Sequence, residues 1–180
     1  MVIRDVYLDH NATTPLHPAV VRTLTESMAC FGNPSSMHAF GREAHALVEQ
    51  ARETVASFIG ALPEEIIFVG SGSEGNNTVL STLGCQSQHC SCDRDHKSHM
   101  VTSAIEHPCI LETSKCLQNR GFRATRLGVD RYGKIDLDEL RASITEDTGV
   151  VSIMMANNEI GTVQDIREIS RIVHEKGSLF

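Results

Sequence analysis

Apolar residues recur along this chain at two different periods, and the period changes near residue 60. From Ala39 to Ile59 the apolar positions Ala44, Leu47, Val48, Ala51, Val55 and Phe58 fall at helical spacing, which predicts one long helix. A shorter helix is expected over Pro18–Ala29, with Pro18 suited to the first helical position. Beyond residue 60, compact apolar runs alternate with helical patterns. Strands are expected at Ile66–Val69, Met100–Ala104, Phe122–Leu127 and Val150–Met155, and helices at Asn77–Leu83, Ile110–Leu117, Asp138–Ile144 and Ile166–Val173. Val6–Asp9 reads as a short extended segment. Strands that alternate with helices imply an α/β fold, a mostly parallel sheet flanked by helices on both faces.

One stretch breaks the rhythm. Gly84–His99 is polar, aperiodic and rich in Cys and His, and reads as a long loop insertion between a helix and a strand. No internal repeat and no linker divides the chain. The end, Gly177-Ser-Leu-Phe180, resembles the first residues of a further strand. A domain stopping inside a strand leaves an unpaired edge, so the expectation is a truncated domain, with a short final strand as the alternative.

Composition narrows the class. Hydrophobic residues make up 41% and charged residues 22% of the 180, ordinary values for a globular domain. With no Trp and 4% aromatics, Leu, Ile, Val and Met must fill the core. The net charge of −7, from 16 basic and 23 acidic residues, argues against a nucleic-acid partner. No apolar run reaches membrane-spanning length, and Met1–His10 lacks a signal-peptide layout. A reducing, cytoplasmic setting is expected, with a mitochondrial one as the alternative, and the six Cys are expected to be thiols.

Three stretches could carry chemistry. Gly70-Ser-Gly-Ser-Glu-Gly-Asn-Asn77 lies between an apolar run and a helix. Small residues there allow backbone N–H groups to approach an anion at a helix N-terminus; Ser71 and Glu74 also fit a capping box. Three phosphate ligands compete. The Walker-type spacing Gly70-x4-Gly75 is followed by Asn76-Asn77 instead of Lys-Ser/Thr. Gly70-x-Gly72-x-x-Gly75 matches the dinucleotide fingerprint, but Asp93 and Asp95 lie in the polar loop and Glu106 comes too late to complete it. A single-phosphate cofactor is the third option. The second stretch is Glu106-His107 after the strand ending near Ala104, where His107 could stack on a flat ring or move protons, or simply start the helix at Pro108. The third is Asn157-Asn-Glu-Ile-Gly161, two amides at a strand end that could bind a polar ligand or cap the following helix. All three fall on the carboxyl edge of the expected sheet, where α/β folds bind ligands. Cys85, His89, Cys90, Cys92, His96 and His99 are competent zinc ligands, but without paired spacing no metal site is assigned.

Together these stretches resemble the class V aminotransferase superfamily, in its cysteine desulfurase and selenocysteine lyase group. The resemblance is carried by Tyr7-Leu-Asp-His-Asn-Ala-Thr-Thr-Pro15, Phe31-Gly-Asn-Pro-Ser-Ser36, Glu64-Glu-Ile-Ile-Phe68, Ser73-Glu74 through Asn77, Glu106-His107 and Val151–Gly161. It implies the N-terminal half of a fold-type I pyridoxal-phosphate enzyme, with residues 1–35 as an N-terminal segment and 36–180 as an incomplete cofactor-binding domain. It implies pyridoxal 5'-phosphate as cofactor. Gly72 and Ser73 would hold the phosphate, His107 would stack on the ring and carry protons, Asn158 would bond the ring oxygen, and Asn33 would lie near the substrate. The activity implied is removal of sulfur from L-cysteine, giving alanine and an enzyme persulfide for iron–sulfur cluster assembly. A sulfur-acceptor scaffold protein would be the partner, and the full-length protein would be a homodimer. Selenocysteine lyase is the alternative within the group. A dinucleotide-binding oxidoreductase, or a non-enzymatic truncated isoform pairing with a full-length partner, are the alternatives outside it.

This chain departs from the family at two points. The usual Ser-Gly-Ala-Thr-Glu is Gly70-Ser-Gly-Ser-Glu74 here, which keeps a hydroxyl at Ser73 and removes a methyl at Gly72. The family's Schiff-base lysine, pyridine-pairing Asp and persulfide Cys are not matched. Lys97, Lys115, Lys134 and Lys176 are expected away from the ligand edge, so the chain alone is expected to be inactive.

Overall fold

The computed structural model describes residues 5–83 and 97–180. It divides into two units, residues 1–68 and 69–180.

The first unit is helical. Helix α1 (Pro18–Ser27) begins with Pro18 at its first position, and the His17 ring accepts the Ala19 N–H as a cap. Helix α2 (Ala39–Ile59) is capped by His38, whose ring accepts from Gly41 N, and it stops at Gly60 with a left-handed φ of 71°. A 3-10 turn follows at Pro63–Glu65. Arg52 then ties the next segment back to α2. Its guanidinium pairs with Glu49, donates to the Ile66 carbonyl and lies 5.1 Å from the centroid of the Phe68 ring. The run Ile66–Val69 joins no ladder among the described residues, and Ile67, Phe68 and Val69 are exposed. The strand expected there is therefore absent, because an apolar run becomes a strand only when a neighbour supplies the ladder. Val6–Asp9 likewise enters no ladder; the Tyr7 hydroxyl instead donates to the carbonyls of Asp9 and Thr13.

The second unit is an α/β sandwich. Its elements run α3 (Gly72–Leu83), β1 (His99–Ser103), α4 (Pro108–Gln118), β2 (Arg123–Leu127), α5 (Leu137–Ser143), β3 (Thr148–Ser152) and α6 (Ile166–Glu175). The sheet order is β2-β1-β3 and both pairings are parallel. Leu179 adds a parallel bridge to Val150, so the final residues pair beside β3 as their apolar pattern suggests. Side chains alternate across β1. Val101 joins Leu127, Leu140, Val151, Ile169 and Ile172 under α5 and α6. Met100 joins Leu80, Ile110, Leu117 and Val150 under α3 and α4. Both faces of the sheet are thus covered, as a parallel sheet requires.

The Cys/His-rich stretch ends sooner than its composition suggests. His99 is not a loop residue: it opens β1 and is buried. Its ring nitrogens lie 2.8 Å from Thr148 Oγ1 and 2.9 Å from Thr125 Oγ1, so one imidazole joins all three strands. Burial, and then the charge of Arg123, hold its pKa below the ordinary value, against a smaller opposing effect of Asp147. Cys85, His89, Cys90, Cys92 and His96 lie outside the described residues.

Candidate cofactor site at the carboxyl edge of the sheet

The glycine-rich segment opens α3. Ser71 Oγ accepts the Glu74 N–H at 3.1 Å, and Glu74 Oε2 accepts the Gly70 N–H at 2.7 Å. Ser71 thus caps α3, but Glu74 reaches one residue further back than the expected capping box requires, to Gly70 instead of Ser71. The cap consumes the N–H of the third helical residue. Gly72 and Ser73, the first two, have N–H groups with no partner inside the helix, as at any helix start. A methyl on Gly72 would meet nothing within 4 Å, so the backbone there is open to approach. Capping therefore leaves the Gly72 and Ser73 N–H groups as the donors that an anion could use.

Helices α3 and α4 lie side by side. Asn76 Nδ2 donates to Cys109 Sγ at 3.2 Å, and the Thr113 hydroxyl donates to Asn77 Oδ1. This sets the second turn of α3 against the start of α4, which His107 caps. His107 Nδ1 accepts the Cys109 N–H at 3.2 Å and lies 3.0 Å from the Cys109 thiol. The ring is exposed, and with Nδ1 accepting, the neutral imidazole carries its hydrogen on Nε2. His107 is thus the helix-initiating residue that Pro108 suggests, and it keeps one nitrogen and its ring faces for a ligand.

The loop after β3 lies next to the loop after β1, because these strands are parallel neighbours. The two consecutive asparagines divide the work there. Asn157 is buried; its Nδ2 donates to the Ile105 carbonyl at 2.8 Å, and its Oδ1 accepts the N–H groups of Glu159 and Ile160. Asn158 is exposed. The turn does not cap a helix, since α6 starts at Ile166 and takes Asp165 as its cap. A second tie comes from Glu106. Its buried Oε1 accepts from Ser103 Oγ at 2.6 Å and from Met154 N at 2.8 Å, and burial pushes its carboxyl above the ordinary carboxylate range. In the sequence, Glu106 stands out as a late acidic residue for the dinucleotide fingerprint and as part of the Glu106-His107 stretch, and nothing there singles out Asn76, Cys109 or Asn157 for these contacts. The one local signal for Glu106 was an acidic residue directly after an apolar strand.

Asn33 belongs to the first unit. Its Oδ1 accepts the Ser35 N–H at 2.9 Å, an Asx turn. The lysines differ from expectation at one position. Lys134 does stand on the carboxyl edge: it follows β2, and its Nζ donates to the Val163 carbonyl in the loop after β3. Lys97 donates to the Gly177 carbonyl, Lys115 pairs with Glu112, and Lys176 ends α6.

These groups suit a phosphate-bearing aromatic ligand. Two helix-start N–H groups and a hydroxyl at Ser73 offer anion donors, the Gly72 surface is open, and His107 and Asn158 supply an exposed ring and an exposed amide. Among the described residues no group of His, Cys, Asp and Glu has the arrangement of a metal site.

The chain is similar to several known proteins. A cysteine desulfurase of Nostoc sp. is 43% identical over 177 residues, which is 97% of this chain and 42% of that protein. A solved NifS-like protein superposes with a TM-score of 0.85 at 38% identity, covering 92% of this chain and 44% of its own. The solved structure of SspA in complex with cysteine gives 0.84 at 34% identity, covering 96% and 48%. The chain therefore spans less than half the length of these proteins. The aminotransferase class-V model matches residues 6–180, and the chain belongs to that family.

Proposed function

We propose that this chain is the cofactor-binding portion of a cysteine desulfurase-like enzyme that uses pyridoxal 5'-phosphate. The observation that supports it best is the shared edge: helix α3, the His107 cap and the Asn158 loop adjoin one another in a family whose relatives carry the desulfurase name. Gly72 and Ser73 would hold the phosphate with backbone N–H and hydroxyl groups. Asn158 would orient the ring by a hydrogen bond to its oxygen. His107 would lie against the ring and exchange a proton at Nε2, its Nδ1 being held by the α4 cap. The bound cofactor would supply an electron sink for bonds at an amino acid's α carbon. Asn33 would contact the substrate.

L-Cysteine is the proposed substrate of the full-length protein, with selenocysteine as the alternative. A sulfur-acceptor scaffold, a role in iron–sulfur cluster assembly, a homodimer and a cytoplasmic setting complete the reading. The chain alone is proposed to be inactive, since Lys97, Lys115 and Lys176 lie elsewhere and Lys134 is engaged by Val163.

The test is a titration of the purified chain with pyridoxal phosphate and with pyridoxal, followed by borohydride and peptide mapping. Phosphate-dependent binding without a single labelled lysine, and no alanine released from cysteine, is the expected result. Equal binding of pyridoxal would remove the phosphate seat. Stoichiometric labelling of Lys134, or alanine release, would overturn the inactivity proposal.

A further inference from the structure

The ladder between β1 and β3 ends at the pair Thr102 and Ser152. His107 and Asn158 stand beyond that point, on loops that the backbone ladder no longer holds together. Hydrogen bonds tie these loops together, donated from the loop after β3 to the loop after β1. Met154 N donates to Glu106 Oε1, across 48 residues of sequence, and Asn157 Nδ2 donates to the Ile105 carbonyl, across 52. Each side thus contributes one side chain and one backbone group. Glu106 immediately precedes His107, and Asn157 immediately precedes Asn158.

We propose that Glu106 is a positioning residue that, with Asn157, fixes where His107 stands relative to Asn158 and so sets the width of the ring site. This rests on the reading that both residues face one cofactor ring. Both bonds to Glu106 land on the same oxygen, from Ser103 Oγ and Met154 N. A neutral carboxyl keeps that carbonyl oxygen as an acceptor, so the tie needs an acceptor and not a charge. Glutamine retains it. Leucine fills similar space but leaves the Met154 N–H and the Ser103 hydroxyl without a partner.

Solution NMR of the 180-residue chain decides the matter, comparing wild type, Glu106→Gln, Glu106→Leu, Asn157→Ala and Leu140→Ala. The last removes core packing under α5 and controls for loss of stability alone. In Glu106→Leu, and in Asn157→Ala should Glu106→Leu not fold, the His107 ring and Asn158 amide resonances are expected to move together. In Glu106→Leu, Met154 amide exchange should also quicken about tenfold relative to Val101. Glu106→Gln and Leu140→Ala should leave His107 and Asn158 in place. Unmoved resonances in the variants that cut a tie, or equal movement in Leu140→Ala, would overturn the proposal. Pyridoxal phosphate titrated into the same proteins gives a second reading: about tenfold weaker binding for Glu106→Leu and near-wild-type binding for Glu106→Gln. If the wild-type chain binds none, the cofactor reading fails, while the resonance shifts still decide the role of Glu106.

Discussion

Gly41 stands so close to Ser36 that a methyl group on its Cα would lie 2.2 Å from the Ser36 carbonyl oxygen and 2.7 Å from the Ser36 Cβ. The Asn33 carbonyl oxygen would be 2.8 Å away, so the obstacle is mostly backbone and cannot turn aside. Gly41→Ala should therefore displace the Gly32–Ser36 loop from the start of α2, at a cost of about 1–3 kcal/mol. Urea unfolding followed by a probe in the first unit would measure it. Unchanged stability would mean that the loop is not seated on α2.

Gly72 offers the opposite case. Its φ is not in the left-handed region and an added Cβ meets nothing. Gly72→Ala should stabilise the chain by about 0.5 kcal/mol by restricting the unfolded state. It should leave the proposed pyridoxal phosphate binding intact, since the added methyl enters open space. A loss of thermal stability would show that the start of α3 is tighter than its open surface implies.

Asp147 is held at a pKa of about 2, first by the Arg123 guanidinium and then by the N–H and hydroxyl of Ser98. The folded state keeps this carboxylate charged below its ordinary value of 3.8. Its contribution is present above pH 3.8 and is lost as pH falls towards 2. The pair is solvent-exposed, so the worth is below about 1 kcal/mol. The stability gap between wild type and Asp147→Asn should narrow across that window; a gap independent of pH would place the effect in packing.

His99 acts in a different window. Its folded-state pKa is depressed from 6.5, so the folded chain binds fewer protons than the unfolded one. Its contribution is complete above pH 6.5 and declines as pH drops towards the depressed value. The charged groups beside it are Arg123, which opposes protonation, and Asp147, which favours it. His99→Gln should flatten the stability profile just below pH 6.5. A wild-type profile that is already flat there would show that His99 is not buried in solution.

What the sequence made legible was local. Helices α2 and α6 were readable because their apolar positions repeat every turn, and β1 to β3 because short apolar runs sat between turn signals. Ile66–Val69 carried the same signal without a pairing partner, and pairing is not local. His99 was hidden by the polar composition of the residues before it. In the site, two adjacent asparagines could be recognised but not ranked; burial separates the structural Asn157 from the exposed Asn158. The Glu106–Met154 tie spans 48 residues, and no window of sequence contains both ends.

The order β2-β1-β3 has a consequence for how the chain is made. Among the described residues the earliest strand is the middle one. As the polypeptide leaves a ribosome, β1 emerges with both edges bare; one is covered only once residue 127 has appeared and the other only once residue 152 has. During that interval Met100 and Val101, destined for opposite faces of the core, remain available to other chains. Newborn molecules caught at this stage are the ones most exposed to mispairing, so slowing translation between β1 and β3 should increase aggregation more than a pause after β3.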